Sequence, residues 1–198
     1  MGVVTILWVL FGYSLAFAKS HGGSIGGLEY AGLRGVGAAP AANGAYGKSI
    51  PFLVPFGYQE MFAVITPALI TGAFADRVTF KAYLLFLVGW SVLVYVPFVH
   101  WIWNPAGFLA KQGVVDFAGG AVVHVSAGFA ALASVFVVGK RRMKTGETAG
   151  PHNVAFVALG TGLLWFGWFG FNGGSALGAN AIAATAFVNT DIAGSVAM

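Results

Sequence analysis

The chain contains no cysteine and very little charge: ten Lys/Arg and six Asp/Glu among 198 residues, or 8%, against about a quarter in ordinary soluble domains. The missing cysteine excludes disulfides, thiolate metal sites and a Cys nucleophile. The missing charge excludes a soluble domain. What net charge exists, +4, comes mostly from one run, Lys140, Arg141, Arg142 and Lys144, so the basic balance describes a single loop. Nucleic-acid binding would need basic residues spread along a surface. No nucleophile with a base, no carboxylate pair and no phosphate loop is present, so the sequence points away from an enzyme. What it does contain is apolar: 58% hydrophobic residues and a mean hydropathy of +0.83, more apolar surface than one small core can hide. The solvent expected for most of the chain is lipid. The 30 glycines follow no three-residue period and lie among Phe, Trp, Val and Leu, which excludes collagen-like and disordered chains.

Crossing a hydrocarbon core of about 30 Å takes about 20 mostly apolar residues in a helix. Charge-free windows run over 1–18, 49–75 (interrupted by Glu60), 82–110, 117–139 (holding His124) and 148–190, the last broken by a turn-rich stretch at 172–180. The expectation is therefore an all-α polytopic membrane protein with about six transmembrane helices, roughly 2–18, 53–74, 81–100, 117–138, 153–172 and 180–198. The long connection 19–50 is Gly/Ala-rich and reads as an exposed loop with little regular structure. Alternation puts the loops 76–81 and 140–152 on one side with six Lys/Arg. By the positive-inside rule that side is cytoplasmic, and the first span runs outward. No Lys or Arg precedes the first apolar run, which is also longer than a signal-peptide core, so it reads as a span.

Ionisable groups inside spans are costly and point to function. They are Glu60, Asp116, His124 and Asp191, joined by the polar Asn172 and Ser175. His124 has Gly120, Ala121, Ala127, Gly128 and Ala131 on its helical face, a surface without bulk. Two readings stay open: an imidazole projecting into a lumen, or a buried one bonded across a close helix contact. A metal site is not expected, because Asp116, eight residues away, lies about 12 Å along a helix. Asp116 reads as a helix N-cap or as a fixed charge favouring a cation in an outer vestibule. Glu60 reads as a vestibule carboxylate or a snorkelling side chain. Aromatic residues gather at outer span ends: Phe56, Tyr58, Phe62, Trp101, Trp103, Phe169 and Phe171. An interfacial belt explains most such residues, and converging faces could instead hold a cation.

Two motifs, Asp116-Phe-Ala-Gly-Gly-Ala-Val-Val-His124 and Gly167-Trp-Phe-Gly-Phe-Asn-Gly-Gly-Ser175, closely resemble those of ammonium transporters, the Amt and Mep proteins with their Rh relatives. Phe11-Gly-Tyr-Ser-Leu-Ala-Phe17, Ile65-Thr-Pro-Ala-Leu-Ile-Thr-Gly-Ala-Phe-Ala-Asp-Arg77, His100-Trp-Ile-Trp103 and Ala186-Phe-Val-Asn-Thr190 follow the same family order. The resemblance implies an eleven-helix fold of two inverted five-helix repeats around a narrow pore, a homotrimeric assembly and a place in the plasma membrane. On that template the six spans correspond to helices two to seven, so the 198 residues read as a central portion, about half of a transporter.

By the same resemblance Trp103, Phe62 and Ser175 form an outer ammonium-recruitment site with Tyr58 beside it. Asp116 lies near that site in a role at least as much structural as binding. Phe62 and Phe171 form the pore gate, and His124 is the first pore histidine; no counterpart of the second is found, since His100 and His152 lie at span ends and His21 in a loop. Trp101 is an alternative to Trp103, because one extra residue separates Trp103 from Asp116. The expected partners are ammonium or ammonia and the lipid bilayer, with no cofactor. Two other functions fit the same scaffold: a non-transporting ammonium sensor, and a channel for a small neutral gas.

Overall fold

The computed structural model describes residues 1–41, 46, 49–141 and 153–197; Arg142, Lys144, His152 and Met198 lie outside them. The described residues form helices α1 (Gly2–Phe17), α2 (Leu53–Phe74), α3 (Phe80–Lys111), α4 (Gly120–Val138), α5 (Val154–Gly174) and α6 (Ala181–Val196). Strand content among them is one two-residue antiparallel pair, β1 (Ser20–His21) and β2 (Ile25–Gly26). Helices α2 to α5 are long and apolar enough to cross a membrane, while α1 and α6 are shorter apolar helices. The chain divides into two compact units, 1–141 and 142–198.

In the first unit the core lies between α1, α2 and α3. It is built on rings: Trp8 packs on Tyr13 at 5.8 Å and on Tyr95 at 6.3 Å, and Tyr13 on Phe56 at 5.1 Å. Such edge and tilted contacts add about 0.5–1.5 kcal/mol each beyond buried area. Three helices contain a π-turn, at Trp8–Gly12 in α1, Ser91–Tyr95 in α3 and Gly120–Val125 in α4. Helix α3 is interrupted at 104–107 before its last short turn, Phe108–Lys111.

The connection 19–50 has little regular structure, as its composition suggests, but its described part is less exposed than expected. Val36, Ala41 and Tyr46 are buried. The Tyr46 hydroxyl donates to the carbonyl of Phe17 at 2.9 Å, and its ring packs on Phe17 at 5.1 Å. Burial raises the Tyr46 phenol above its ordinary pKa. At the other end, arginines tie the ends of α2 and α4 together. Arg77 donates to the carbonyl of Gly139 at 3.0 Å, and Arg141 to those of Gly72 and Ala75 at 2.8 and 3.3 Å. These carbonyls belong to helix ends, where intrahelical partners run out.

The second unit pairs α5 with α6. The Asn172 amide donates to the Thr190 hydroxyl at 2.9 Å, and Phe169 meets Phe187 at 4.6 Å. Asn153 and Asn180 cap the two helices by accepting from Phe156 N and Ala183 N. None of the described residues of α5 or α6 is buried. Two apolar helices side by side cover only a stripe of each other, so the rest of this surface suits lipid or further protein.

Candidate functional site

The site is built where α2, α3 and the start of α4 meet. On α2, Tyr58 and Phe62 are one turn apart and share a face; their rings meet at 4.9 Å and 69°. Trp103, on the last turn of α3 before the interruption, meets Phe62 edge-to-face at 5.3 Å and 90°. Phe62 is 1% exposed, whereas Tyr58 and Trp103 are half-buried. Three of the four aromatic and hydroxyl residues expected at the recruitment site are thus contiguous. Trp103 donates its indole Nε1–H to the main-chain carbonyl of Asp116 at 2.8 Å. With that donor engaged, the group it offers a cation is the face of the ring, the electron-rich part.

Trp101 points elsewhere. Its indole donates to the carbonyl of Ser24 at 2.8 Å, and its ring lies against Phe98 and Phe108. The geometry therefore joins Trp103, and not Trp101, to Phe62.

Asp116 is a cap. One carboxylate oxygen accepts from the N–H groups of Gly119 and Gly120 at 2.7 and 2.8 Å, the other from Ala121 and Val122 at 2.9 and 2.8 Å. All four donors are first-turn amides of α4 or the residue before it, which would otherwise lack partners. Gly119 makes the turn possible at φ +94, and a Cβ there would lie 2.8 Å from Val123 Cγ2 and 3.5 Å from Phe62 Cδ1. Only glycine lets the α4 entrance approach Phe62 in this left-handed conformation.

His124 follows five residues after Gly119, about 7 Å further along α4 at an α-helical rise. Its N–H bonds to the Gly119 carbonyl at 3.1 Å, the π-spacing of this turn. The side chain is exposed, as is Gly128 on the next turn, which favours a projecting imidazole over one buried in a helix contact within this unit. Glu60 is half-buried on α2.

Phe171 and Ser175 lie in the second unit. Phe171 stacks on Trp168 at 5.1 Å and 29°. The Ser175 hydroxyl donates to the Phe171 carbonyl at 3.0 Å, so toward a further partner its oxygen acts as an acceptor. Asp191 is exposed on α6. Among the described residues no group of three or more His, Cys, Asp or Glu can hold a metal.

Sequence reasoning set His100 aside as a residue at a span end. In the structure it is fully buried one turn before Trp103, bonded to Ala16 and Ser20. The signal was available: a lone histidine in an apolar stretch, inside a motif that already held Trp103.

The profile of the Ammonium Transporter Family matches residues 1–198. The chain belongs to the ammonium transporter family. A curated ammonium transporter from Bacillus subtilis is 51% identical over 193 residues, covering 98% of this chain and 46% of that protein. The crystal structure of Saccharomyces cerevisiae Mep2 is 40% identical with a TM-score of 0.81, covering 92% of this chain and 40% of the other. A solved sensor Amt protein is 32% identical with a TM-score of 0.81, over 96% of this chain and 48% of its own. The chain thus spans about half the length of the curated ammonium transporters it matches. Membership identifies a multi-pass membrane protein of a transporter family, and places it outside the enzymes.

Proposed function

We propose that these residues are a portion of a homotrimeric transporter that moves ammonium or ammonia across the plasma membrane. The observation that carries this reading is the contiguous set Tyr58, Phe62 and Trp103, with the Trp103 indole N–H tied to Asp116. Ammonium has four N–H donors and no acceptor. Aromatic faces and one accepting hydroxyl, that of Ser175, replace part of its water, each cation–aromatic contact contributing about 0.5–2 kcal/mol. The apolar path beyond penalises the charged form, which favours loss of the proton before passage.

Phe62 and Phe171 gate that path. The neutral imidazole of His124 accepts or donates one hydrogen bond to the passing molecule, and can relay a proton. An alkali cation of similar size has no proton to give up and is refused at the same step. Asp116 acts through structure, holding the α4 entrance and the Trp103 indole. The cytoplasmic side carries Arg77, Lys81, Lys140 and Arg141.

Transport is favoured over sensing because the relative at 51% identity is named a transporter, while the sensor Amt protein stands at 32%. The test is uptake of labelled methylammonium by the complete protein in cells without other ammonium transporters. Trp103→Ala should raise the half-saturating concentration about tenfold, the loss of roughly one strong cation–aromatic contact, and His124→Ala should depress the maximal rate. Unchanged uptake in both variants would overturn the site.

A further inference from the structure

The last turn of α3 before its interruption carries a buried polar knot that the transport reading does not use. His100 is fully buried and Asn104 nearly so, at 0% and 4% exposure. His100 Nδ1 lies 2.8 Å from the carbonyl oxygen of Ala16, near the end of α1. A carbonyl only accepts, so Nδ1 carries the proton and, in the neutral ring, Nε2 is an acceptor. Facing Nε2 at 2.7 Å is the hydroxyl of Ser20, which in turn accepts from the N–H of Gly23 at 3.1 Å. The Ser20 hydroxyl also lies 3.5 Å from the carbonyl of Ala106, and the far shorter contact to Nε2 assigns the chain of donors as Gly23 N–H to Ser20 Oγ, Ser20 O–H to His100 Nε2, and His100 Nδ1–H to Ala16 O.

Asn104 completes the set. Its amide donates to the carbonyls of Ala16 and Ala18 at 3.1 and 3.0 Å, and its oxygen accepts from Ala106 N at 3.0 Å. The carbonyls at the end of α1 are therefore satisfied by two side chains of α3. Gly107 folds the chain back onto this turn so tightly that a Cβ would collide with the carbonyl oxygens of His100 and Trp101.

On a helix His100 and Asn104 share one face, and Trp103 emerges about 60° round from His100. The knot therefore fixes the rotation of the turn that aims Trp103 at Phe62. A slip of that turn would carry the indole off the ring and off the Asp116 carbonyl. Burial makes the arrangement exacting, since removing one partner leaves a buried polar group without a bond.

We propose that His100, held by Ala16 and Ser20, is a positioning residue that sets the affinity of the outer cation site by fixing the orientation of Trp103. This rests on the recruitment-site reading above. It couples the hairpin β1–β2 to the site through Ser20, so changes in the outer connection reach the cation through His100.

The test measures methylammonium uptake by the complete protein, with the amount in the membrane quantified, for His100→Ala, His100→Asn, Ser20→Ala and Trp103→Ala. His100→Ala should raise the half-saturating concentration about fivefold, the effect of losing one or two buried hydrogen bonds, with the maximal rate per transporter kept. His100→Asn retains a donor toward Ala16 and should give only about a twofold rise; so should Ser20→Ala, which keeps the ring. In a Trp103→Ala background, His100→Ala should add nothing, because its effect passes through the missing indole.

If His100→Ala does not reach the membrane, the Asn and Ser20 variants decide. A merely structural role would lower the maximal rate or the amount of protein and leave half-saturation unchanged, and that result, beside a raised value for Trp103→Ala, overturns the proposal. No effect of Trp103→Ala would instead overturn the recruitment site itself, and the role of His100 with it.

Discussion

The indole N–H of Trp103 and the main-chain carbonyl of Asp116 are joined by a 2.8 Å hydrogen bond. Asp116 thereby faces two ways: its carbonyl orients a ring on α3, and its carboxylate closes the first turn of α4. The same residue sets where the ring and the helix start stand relative to each other.

Asp116→Asn keeps the shape but halves the acceptor capacity, and turns an amide NH2 toward two N–H donors. The thermal midpoint of the solubilised protein should fall, reflecting about 2–4 kcal/mol lost at the α4 entrance. Methylammonium uptake should be nearly abolished. A midpoint equal to that of the parent protein would contradict the fourfold cap.

Trp101 and Trp103 should separate cleanly under one conservative change. Trp103→Phe loses the bond to Asp116 and frees the ring to turn, so half-saturation should rise severalfold. Trp101→Phe loses only its bond to Ser24 and should leave half-saturation as it was. Equal effects of the two substitutions in uptake assays would count against the orientation argument.

Gly119→Ala meets both a positive φ and a Cβ 2.8 Å from Val123. The cost should be about 1–3 kcal/mol, read as a lowered midpoint. The same substitution at Gly128, where nothing lies within 4 Å of the added Cβ, should be close to neutral. The pair of measurements separates strain from a general intolerance of added volume in α4.

The described part of the connection 19–50 should loosen in alkali. Burial raises the pKa of Tyr46 above 10, and of Tyr30 likewise, the latter helped by Glu29. A raised folded-state value means stability that is complete below pH of about 10 and lost as pH climbs further. Relative to an unfolded peptide at the same pH, hydrogen exchange in residues 14–41 should quicken above a pH of about 10, and Tyr46→Phe, which cannot donate to Phe17, should already be faster at pH 8 by about one hydrogen bond's worth, roughly 1 kcal/mol.

Much of this was legible in the sequence because it rests on local chemistry. Asp116, three residues before Gly119-Gly120, offered a cap beside a vestibule charge from residue types alone, and the structure gives its carboxylate four backbone donors. Apolar windows placed α2 and α4 closely, since length and hydropathy decide a span. The packing of Val36, Ala41 and Tyr46 was not legible, because Gly and Ala in a loop carry no periodic signal and their burial depends on what α1 presents to them. The motif already favoured Trp103 over Trp101, but what each indole bonds was not legible, because the two differ only in which way one helical turn faces. His100 was visible as a polar residue but not as a knot, since its partners Ala16 and Ser20 lie more than seventy residues earlier.

The π-turns carry a further consequence, for length variation. Each turn binds over five residues where the ordinary helix binds over four. Five residues at the π spacing turn the chain about as far as four at the α spacing, so each π-turn absorbs one residue beyond the ordinary repeat without rotating the helix that follows it. Deleting one residue from Gly120–Val125 would therefore restore the common repeat and keep the faces of Ser126–Val138, displacing only the turn that carries His124. Single-residue deletions should be better tolerated at these three π-turns than elsewhere in α1, α3 and α4, where one codon turns the rest of a helix by about 100°.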